Sequence, residues 1–502
     1  MPEKLVGAVD LGTTGVRFAL YDAKATQIAS SYRELPLATP QTGWVEQDPE
    51  ILLASTITVL NEVLSQRSSA AQNLAAIGLT NQRETVVVWD RESGQPLHPA
   101  IVWQDRRTAE RCRQLRLGQH RDAIVASTGL SIDPYFSATK MEWLLGNVPG
   151  LRERAEGGDA LFGTVDSWIL WNLTGNHATD DTNASRTMLY GLSDGGWNPE
   201  LLSIFSIPAQ ALPRIQPSIS DFGAIKTGSP AEGVPVAGIL GDQQASLLGH
   251  GIVSSGCAQA TWGTGAFLLM NTGPRCATST HGLLATVART TPGQSAIYAL
   301  EGAVFIAGAA IQWLRDGLGV ISNSAESASL AQQVESTEGV VFVPALAGLG
   351  SPHWDASARG LVVGIARNTR KAHLVRAALE AIAYQTSDVV HAMEADTSMT
   401  LNELRVGGGA AANDFLCQFQ SDILGIPVVR PRDMETTALG AAFAAGIGAG
   451  VWEDANAIRA FSREDRKFEP SMHSDVRRTL LKAWARAVER AKGWADGAEE
   501  LA

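Results

Sequence analysis

Four short stretches of the chain carry residue types that can do chemistry. The first is Asp10-Leu11-Gly12-Thr13-Thr14-Gly15-Val16-Arg17. A tip built from Gly and Thr offers bare backbone N–H groups and two hydroxyls, a set that suits phosphate oxygens. The carboxylate of Asp10 suits a hard cation such as Mg²⁺, and Arg17 adds a fixed positive charge. A plain turn with a solvated aspartate accounts for the same eight residues.

The second is Gly238-Ile239-Leu240-Gly241-Asp242-Gln243-Gln244. An acid that follows a glycine at the end of an apolar strand is poorly shielded, so Asp242 can serve as a general base and Gln243 can read a hydroxyl. Asp followed by Gln-Gln-Ala-Ser also makes a good helix N-cap, and both roles are compatible. The third, Leu404 to Asp414, ends a strand on three glycines and opens a helix with alanines. Either a nucleotide or close helix-on-strand packing fits there. The fourth pairs Asn81-Gln82-Arg83-Glu84 with Trp103-Gln104-Asp105. Donors, acceptors and an aromatic wall suit a small hydroxylated ligand; an Arg–Glu surface ion pair is the other reading. There is no GxxxxGK[ST], HExxH or GxGxxG string, and the nine histidines are dispersed, which disfavours a P-loop, a zinc site and a Rossmann dinucleotide site.

The elements that must position these stretches read as follows. Residues 5–10 and 16–21 form a hairpin around the Gly-Thr tip. Asp48-Pro49 starts a helix whose buried face is Leu53, Ile57, Leu60 and Leu64. Strands are expected at 75–80, 85–89 and 100–103, and a solvated Arg-rich helix at 106–116. Turn signals crowd 194–235, a new apolar run starts at Val236, and 258–271 forms a second hairpin around Gly263-Thr264-Gly265. Leu480, Trp484, Val488 and Ala491 mark an amphipathic closing helix. The echo of one hairpin by the other suggests two domains of similar design joined near 250, each α/β with mixed sheets.

Length and composition agree. The 502 residues exceed one ordinary core. A hydrophobic share of 45% against 18% charged leaves ample burial. The net charge of -12, from 40 basic and 52 acidic residues, argues against a nucleic-acid or anionic-membrane surface. The first apolar run is too short for a signal peptide, and Gly302 to Ile311 is too short to span a bilayer. Cys112, Cys257, Cys276 and Cys417 are scattered. A soluble cytoplasmic protein is expected.

Together and in this order the four stretches resemble the FGGY carbohydrate kinases, which share the actin-like ATPase (ribonuclease H-like) fold. Two further strings carry the likeness, Tyr135 to Trp143 and Gly360 to Glu380. Within the family, 80–85, 101–108, 182–189, 241–244 and 418–425 are most similar to the members that phosphorylate glycerol. The resemblance implies domains at 1–249, holding the polyol and a phosphate loop, and 250–502, holding the nucleotide, with a cleft and hinge between them. It implies polyol contacts at Arg83, Glu84, Trp103, Tyr135, Asp242, Gln243 and Phe267. ATP would meet Thr13, Thr14, Gly15, Arg17, Thr264, Gly308, Gln312, Ala410 and Asp414, and Mg²⁺ would sit near Asp10 and Asp242. Asp242 would be the general base for transfer to glycerol, giving sn-glycerol 3-phosphate, and a homodimer or homotetramer is expected. Asp414 stands where the family pattern has Asn, which removes an amide donor toward the nucleotide. Gly228 to Gly233 resembles a regulatory phosphate loop in position but lacks its arginine. The alternatives are a kinase for another polyol or a pentulose, and a non-catalytic actin-like ATP-switched protein.

Overall fold

In the computed structural model, which describes residues 4–66 and 70–495, the opening apolar run forms the strand Leu5–Leu11. The Gly-Thr tip returns it antiparallel as Gly15–Tyr21. Their inward residues are sealed from water, with Val9, Leu11, Val16 and Phe18 fully buried. Gln27–Glu34 adds an antiparallel edge, while Leu74–Asn81 and then Val236–Gly241 add parallel strands on the other side.

A second sheet repeats the plan. Ala258–Trp262 and Ala266–Gly273 form its hairpin; Ile297–Val304 adds the antiparallel neighbour, and Leu404–Gly407 and Val428–Pro431 add the parallel ones. Five strands therefore have the same order and directions in both sheets. Leu284–Arg289 and Glu464–Phe468 extend the second at its two edges. The two halves are thus α/β units of one design with mixed sheets.

The halves are also stitched together. Thr436–Gly448 follows the second sheet in sequence yet packs on the first sheet and on the helix Asp242–Gly249. Glycine permits this approach: a Cβ at Gly440 would lie 1.7 Å from the Ala245 carbonyl oxygen.

Several local expectations shift. Asp48 does cap Pro49–Ser65, accepting from the Glu50 and Ile51 N–H groups. Its buried face, however, is Leu52, Thr56, Val59, Leu60, Val63 and Leu64, with Leu53 and Ile57 only half-buried. The helix lies on the strands Gly15–Tyr21 and Gln27–Glu34, and that packing selects the stripe one residue earlier. The strand expected at 100–103 ends at Ile101, so Trp103 sits in the turn beyond it. The Arg-rich helix spans Ala109–Leu117. Arg113 and Glu110 pair on its exposed side, but Arg107 is not solvated. Its guanidinium binds Asp105 and Glu46 and lies 3.7 Å from the Trp44 ring centroid. Trp484, Val488 and Ala491 are buried on the closing helix Ser474–Ala491, as expected. Among the described residues no helix is long and apolar enough to cross a membrane. Residues 1–3 and 496–502, the outer ends of the two expected domains, lie outside the described residues.

Candidate active site

The C-terminal ends of the parallel strands in the first sheet carry the acids and the guanidinium. Leu74–Asn81 runs out into Gln82, Arg83 and Glu84, and Val236–Gly241 runs into Asp242. Arg83 and Glu84 are both buried, which sets aside a surface ion pair, and they do not pair with each other. Arg83 donates from Nη2 to Glu301 Oε1 at 3.2 Å and from Nη1 to Glu301 and to Gln244. Glu84 accepts from Arg186 Nε at 2.7 Å, and Arg186 Nη2 reaches Glu301 at 2.9 Å. Two cations and two anions thus form a buried chain running Arg83–Glu301–Arg186–Glu84, with Glu301 contributed by the second sheet. Burial works to raise the Glu301 carboxyl, but Arg186 and Arg83 outweigh it and hold it below the usual range.

Glu84 is held in the left-handed region at φ 63°, a conformation that costs roughly 1–3 kcal/mol and persists only where the surroundings impose it. They do. Ser137 Oγ donates to its carbonyl at 3.1 Å, and the ammonium of the fully buried Lys140 spans the carbonyls of Tyr135, Phe136 and Glu84. Burial brings the Lys140 ammonium down to about 8.

Asp242 is the first residue of its helix; Gly241 occupies the cap position and donates no side chain. The capping role is therefore corrected, because the strand runs straight into the helix without the extra residue a side-chain cap needs. The Asp242 carboxylate, 28% exposed, lies 3.0 Å from Arg83 Nε without the alignment of a hydrogen bond, and accepts from the Gln243 N–H at 2.7 Å. Surrounding protein raises its pKa, against a smaller opposing pull from Arg83. A Cβ at Gly241 would fall 2.7 Å from Arg83 Cδ, so glycine is what lets the guanidinium reach this carboxylate.

These groups face a cavity of about 310 Å³ lined by Arg83, Glu84, Trp103, Tyr135, Asp242, Gln243 and Phe267 together with Thr13, Thr14 and Thr264. Trp103 meets Tyr135 and Phe267 edge-on, with ring centroids 5.6 and 6.0 Å away. The backbone N–H groups of Thr13, Thr14 and Thr264 have no acceptor among the described residues. A second, larger cavity of about 590 Å³ shares Gly263 and Thr264 with the first and is lined by Gly308, Gln312, Ala410 and Asn413 among others. A compartment lined in part by charged side chains and one lined by uncharged residues therefore meet at the tip of the second hairpin.

Four expected residues lie outside both linings. Gly15 and Arg17 stand behind the first tip, with Arg17 paired to Glu435 at 2.8 Å. Asp10 lies half-buried at the end of its strand, pushed up to about 7 by burial and then by the Asp242 and Glu435 carboxylates. Asp414 turns away: Arg430 holds one carboxylate oxygen at 2.7 Å and Arg466 binds from the other side at 2.5 Å. Its neighbour Asn413 lines the cavity and caps the helix Asp414–Leu424. The tight turn Gly409–Ala412 takes up the alanines, so the helix starts at Asp414, four residues beyond Ala410. Asn413, Lys140, Arg186 and Glu301 were not singled out for these roles by sequence reasoning.

Comparison with known proteins adds the following. Residues 5–249 match the N-terminal domain of the FGGY family of carbohydrate kinases and residues 258–449 its C-terminal domain. A glycerol kinase of Rhodopirellula baltica is 50% identical over 495 residues, 98% of this chain and 92% of that one. A glycerol kinase of Deinococcus radiodurans is 49% identical over 494 residues, 98% of both chains. In structure the chain is similar to the Plasmodium falciparum glycerol kinase with ADP, at 34% identity and a TM-score of 0.92, covering 97% of this chain and 98% of that one.

Proposed function

The chain belongs to the FGGY family of carbohydrate kinases, and on that premise we propose that it transfers the γ-phosphoryl group of ATP to a terminal hydroxyl of glycerol, forming sn-glycerol 3-phosphate. One observation carries the reading. Arg83, Glu84 and the Trp103–Tyr135–Phe267 wall converge with Asp242 on a cavity that also contains the free N–H groups of both hairpin tips. Relatives named glycerol kinase at about half identity over nearly the whole chain support the substrate.

Glycerol would lie with its carbon edge on the aromatic wall and its hydroxyls on Arg83, Glu84 and Gln243. The Asp242 carboxylate, made more basic by desolvation, would take the proton of the attacking hydroxyl. As the new O–P bond forms, the bond to the bridging oxygen breaks and ADP leaves with that electron pair. The Thr13, Thr14 and Thr264 donors would steady charge on the transferring group, because phosphoryl transfer depends chiefly on positioning and electrostatics. The nucleotide would occupy the larger cavity beside Gly308, Gln312 and Ala410. We assign the polyol chiefly to residues 1–249 and the nucleotide chiefly to 250–502.

Mg²⁺ fits the residues present. The Asp10 carboxylate takes no hydrogen bond or ion pair among the described residues and faces two further carboxylates, Asp242 and Glu435, which a cation would relieve. No cluster of three or more potential ligands occurs among the described residues, which suits an ion that keeps water and phosphate ligands and takes only one or two carboxylates. When bound it would neutralise phosphate charge, held by Asp10 and Asp242. A cytoplasmic homodimer or homotetramer completes the proposal, and light scattering gives the assembly.

The test is ADP release across a panel of polyols and pentuloses. Glycerol should exceed xylulose or ribulose in kcat/KM by at least ~10-fold, the yield of about 1.4 kcal/mol of differential transition-state binding. Faster turnover of a pentulose overturns the substrate. ADP release that ignores every polyol points instead to an ATP-switched binding protein.

A further inference from the structure

The polyol wall and the first phosphate tip belong to one closed ring of hydrogen bonds. Trp103 Nε1 donates to Thr13 Oγ1 at 2.9 Å, and Gln47 Nε2 donates to the Thr13 carbonyl at 2.7 Å. Gln82 Nε2 donates to Gln47 Oε1 at 2.7 Å, Thr85 Oγ1 to Gln82 Oε1 at 3.0 Å, and the Trp103 backbone N–H to Thr85 Oγ1 at 3.2 Å. Gln47, Gln82 and Thr85 are all buried, so water does not compete for these bonds.

Donor and acceptor chemistry forces the direction of every link. A carbonyl only accepts, so Gln47 must turn its amide nitrogen to Thr13 and its oxygen to Gln82. Gln82 must then present its nitrogen to Gln47 and its oxygen to Thr85, whose hydroxyl donates. An indole N–H only donates, so Thr13 Oγ1 accepts from Trp103 and its own hydrogen is left free. That hydrogen and the unpaired Thr13 N–H are what the tip offers to a phosphate oxygen.

We propose that Gln47 and Gln82 are positioning residues that couple polyol occupancy at Trp103 to the donor geometry of Thr13. The proposal rests on the reading of the cavity as a polyol and phosphate site. A polyol packed on the indole fixes the ring, the ring fixes Thr13, and the nucleotide's terminal phosphate meets a prepared tip; the reciprocal effect is required by linkage.

The experiment measures the affinity of a non-hydrolysable ATP analogue by calorimetry, with and without saturating glycerol. The wild type should bind the analogue at least ~5-fold more tightly with glycerol, within the usual range of coupling. Gln82→Glu keeps the shape but cannot donate to Gln47, and Gln47→Leu removes the link to the Thr13 carbonyl. In each the coupling ratio should fall toward one, while glycerol affinity stays within about threefold because Arg83 and Glu84 are untouched. If one variant fails to fold, the other carries the test. A folded variant that keeps the wild-type ratio, or a wild type with no ratio to lose, overturns the proposal alone. A wild type that does not bind glycerol overturns the underlying reading instead.

Discussion

Arg83 and Glu301 come from opposite halves of the chain and form a buried ion pair beside the cavity walled by Trp103, Tyr135 and Phe267, with both Arg83 terminal nitrogens on the carboxylate. Arg186 binds the same carboxylate, so Glu301 balances two guanidiniums at once. The residue proposed to hook a hydroxyl is therefore held in place by the other half.

Removing that charge should hurt twice. Glu301→Gln leaves two buried cations short of an anion, and breaking a buried pair typically costs ~3–5 kcal/mol. Thermal unfolding should report a clear fall in Tm. In activity assays the KM for glycerol should rise at least ~10-fold, and more than the KM for ATP, because Arg83 loses its anchor while the second cavity keeps its lining. Equal rises in both would mean that the pair supports the fold and not the polyol subsite.

Asp414 makes a contrasting case. Its carboxylate is engaged by Arg430 and Arg466 outside the lining of the larger cavity, the one proposed for the nucleotide. Asp414→Asn should leave ADP affinity within about twofold, since exposed pairs are worth ~0–1 kcal/mol. Asn413→Ala should weaken ADP binding and also cost ~1 kcal/mol of stability through the lost cap. Calorimetric titration of both variants separates the two positions.

Acid should weaken the fold through His177. One ring nitrogen lies 2.8 Å from the Phe162 carbonyl, and burial lowers the imidazole pKa to about 4. Above pH 6.5 the ring is neutral in folded and unfolded chains and contributes no pH dependence. Between 6.5 and about 4 the unfolded chain takes up a proton that the folded one refuses, so stability falls as pH falls. The full effect approaches about 3 kcal/mol. His177→Gln can keep the carbonyl contact without titrating. Denaturant melts of both proteins across this window should show the variant gaining on the wild type as pH falls; a constant gap contradicts the assignment.

What could be read from the chain alone was local. The two Gly-Thr hairpins, the strand that delivers Asp242 and the Asp48 cap depend on neighbours within a few residues, and each stands where its spacing placed it. The echo of one hairpin in the other also reflected a real repeat of strand order. Glu301 and Arg186 carried no such signal. A buried charge becomes intelligible only beside its partners, and those lie more than a hundred residues away. The exchange of Asn413 for Asp414, and of a buried Arg107 for a solvated one, has nearer causes. A single tight turn or an aromatic ring brought in by the fold decided which side chain faces the cavity or the solvent.

Asp242→Asn tests the account most directly. Because Gly241 occupies the cap position, the substitution removes no helix cap; it keeps the shape and cancels the capacity to accept a proton, together with the negative charge beside Arg83. With Arg83, Glu84 and the aromatic wall intact, glycerol affinity by calorimetry should change far less than turnover, and Tm should stay near that of the wild type. Loss of a general base typically costs ~10²–10⁴-fold, so kcat should fall by at least a hundredfold. A variant that melts like the wild type, binds glycerol and keeps more than about a tenth of its kcat would contradict the role of Asp242 as the base.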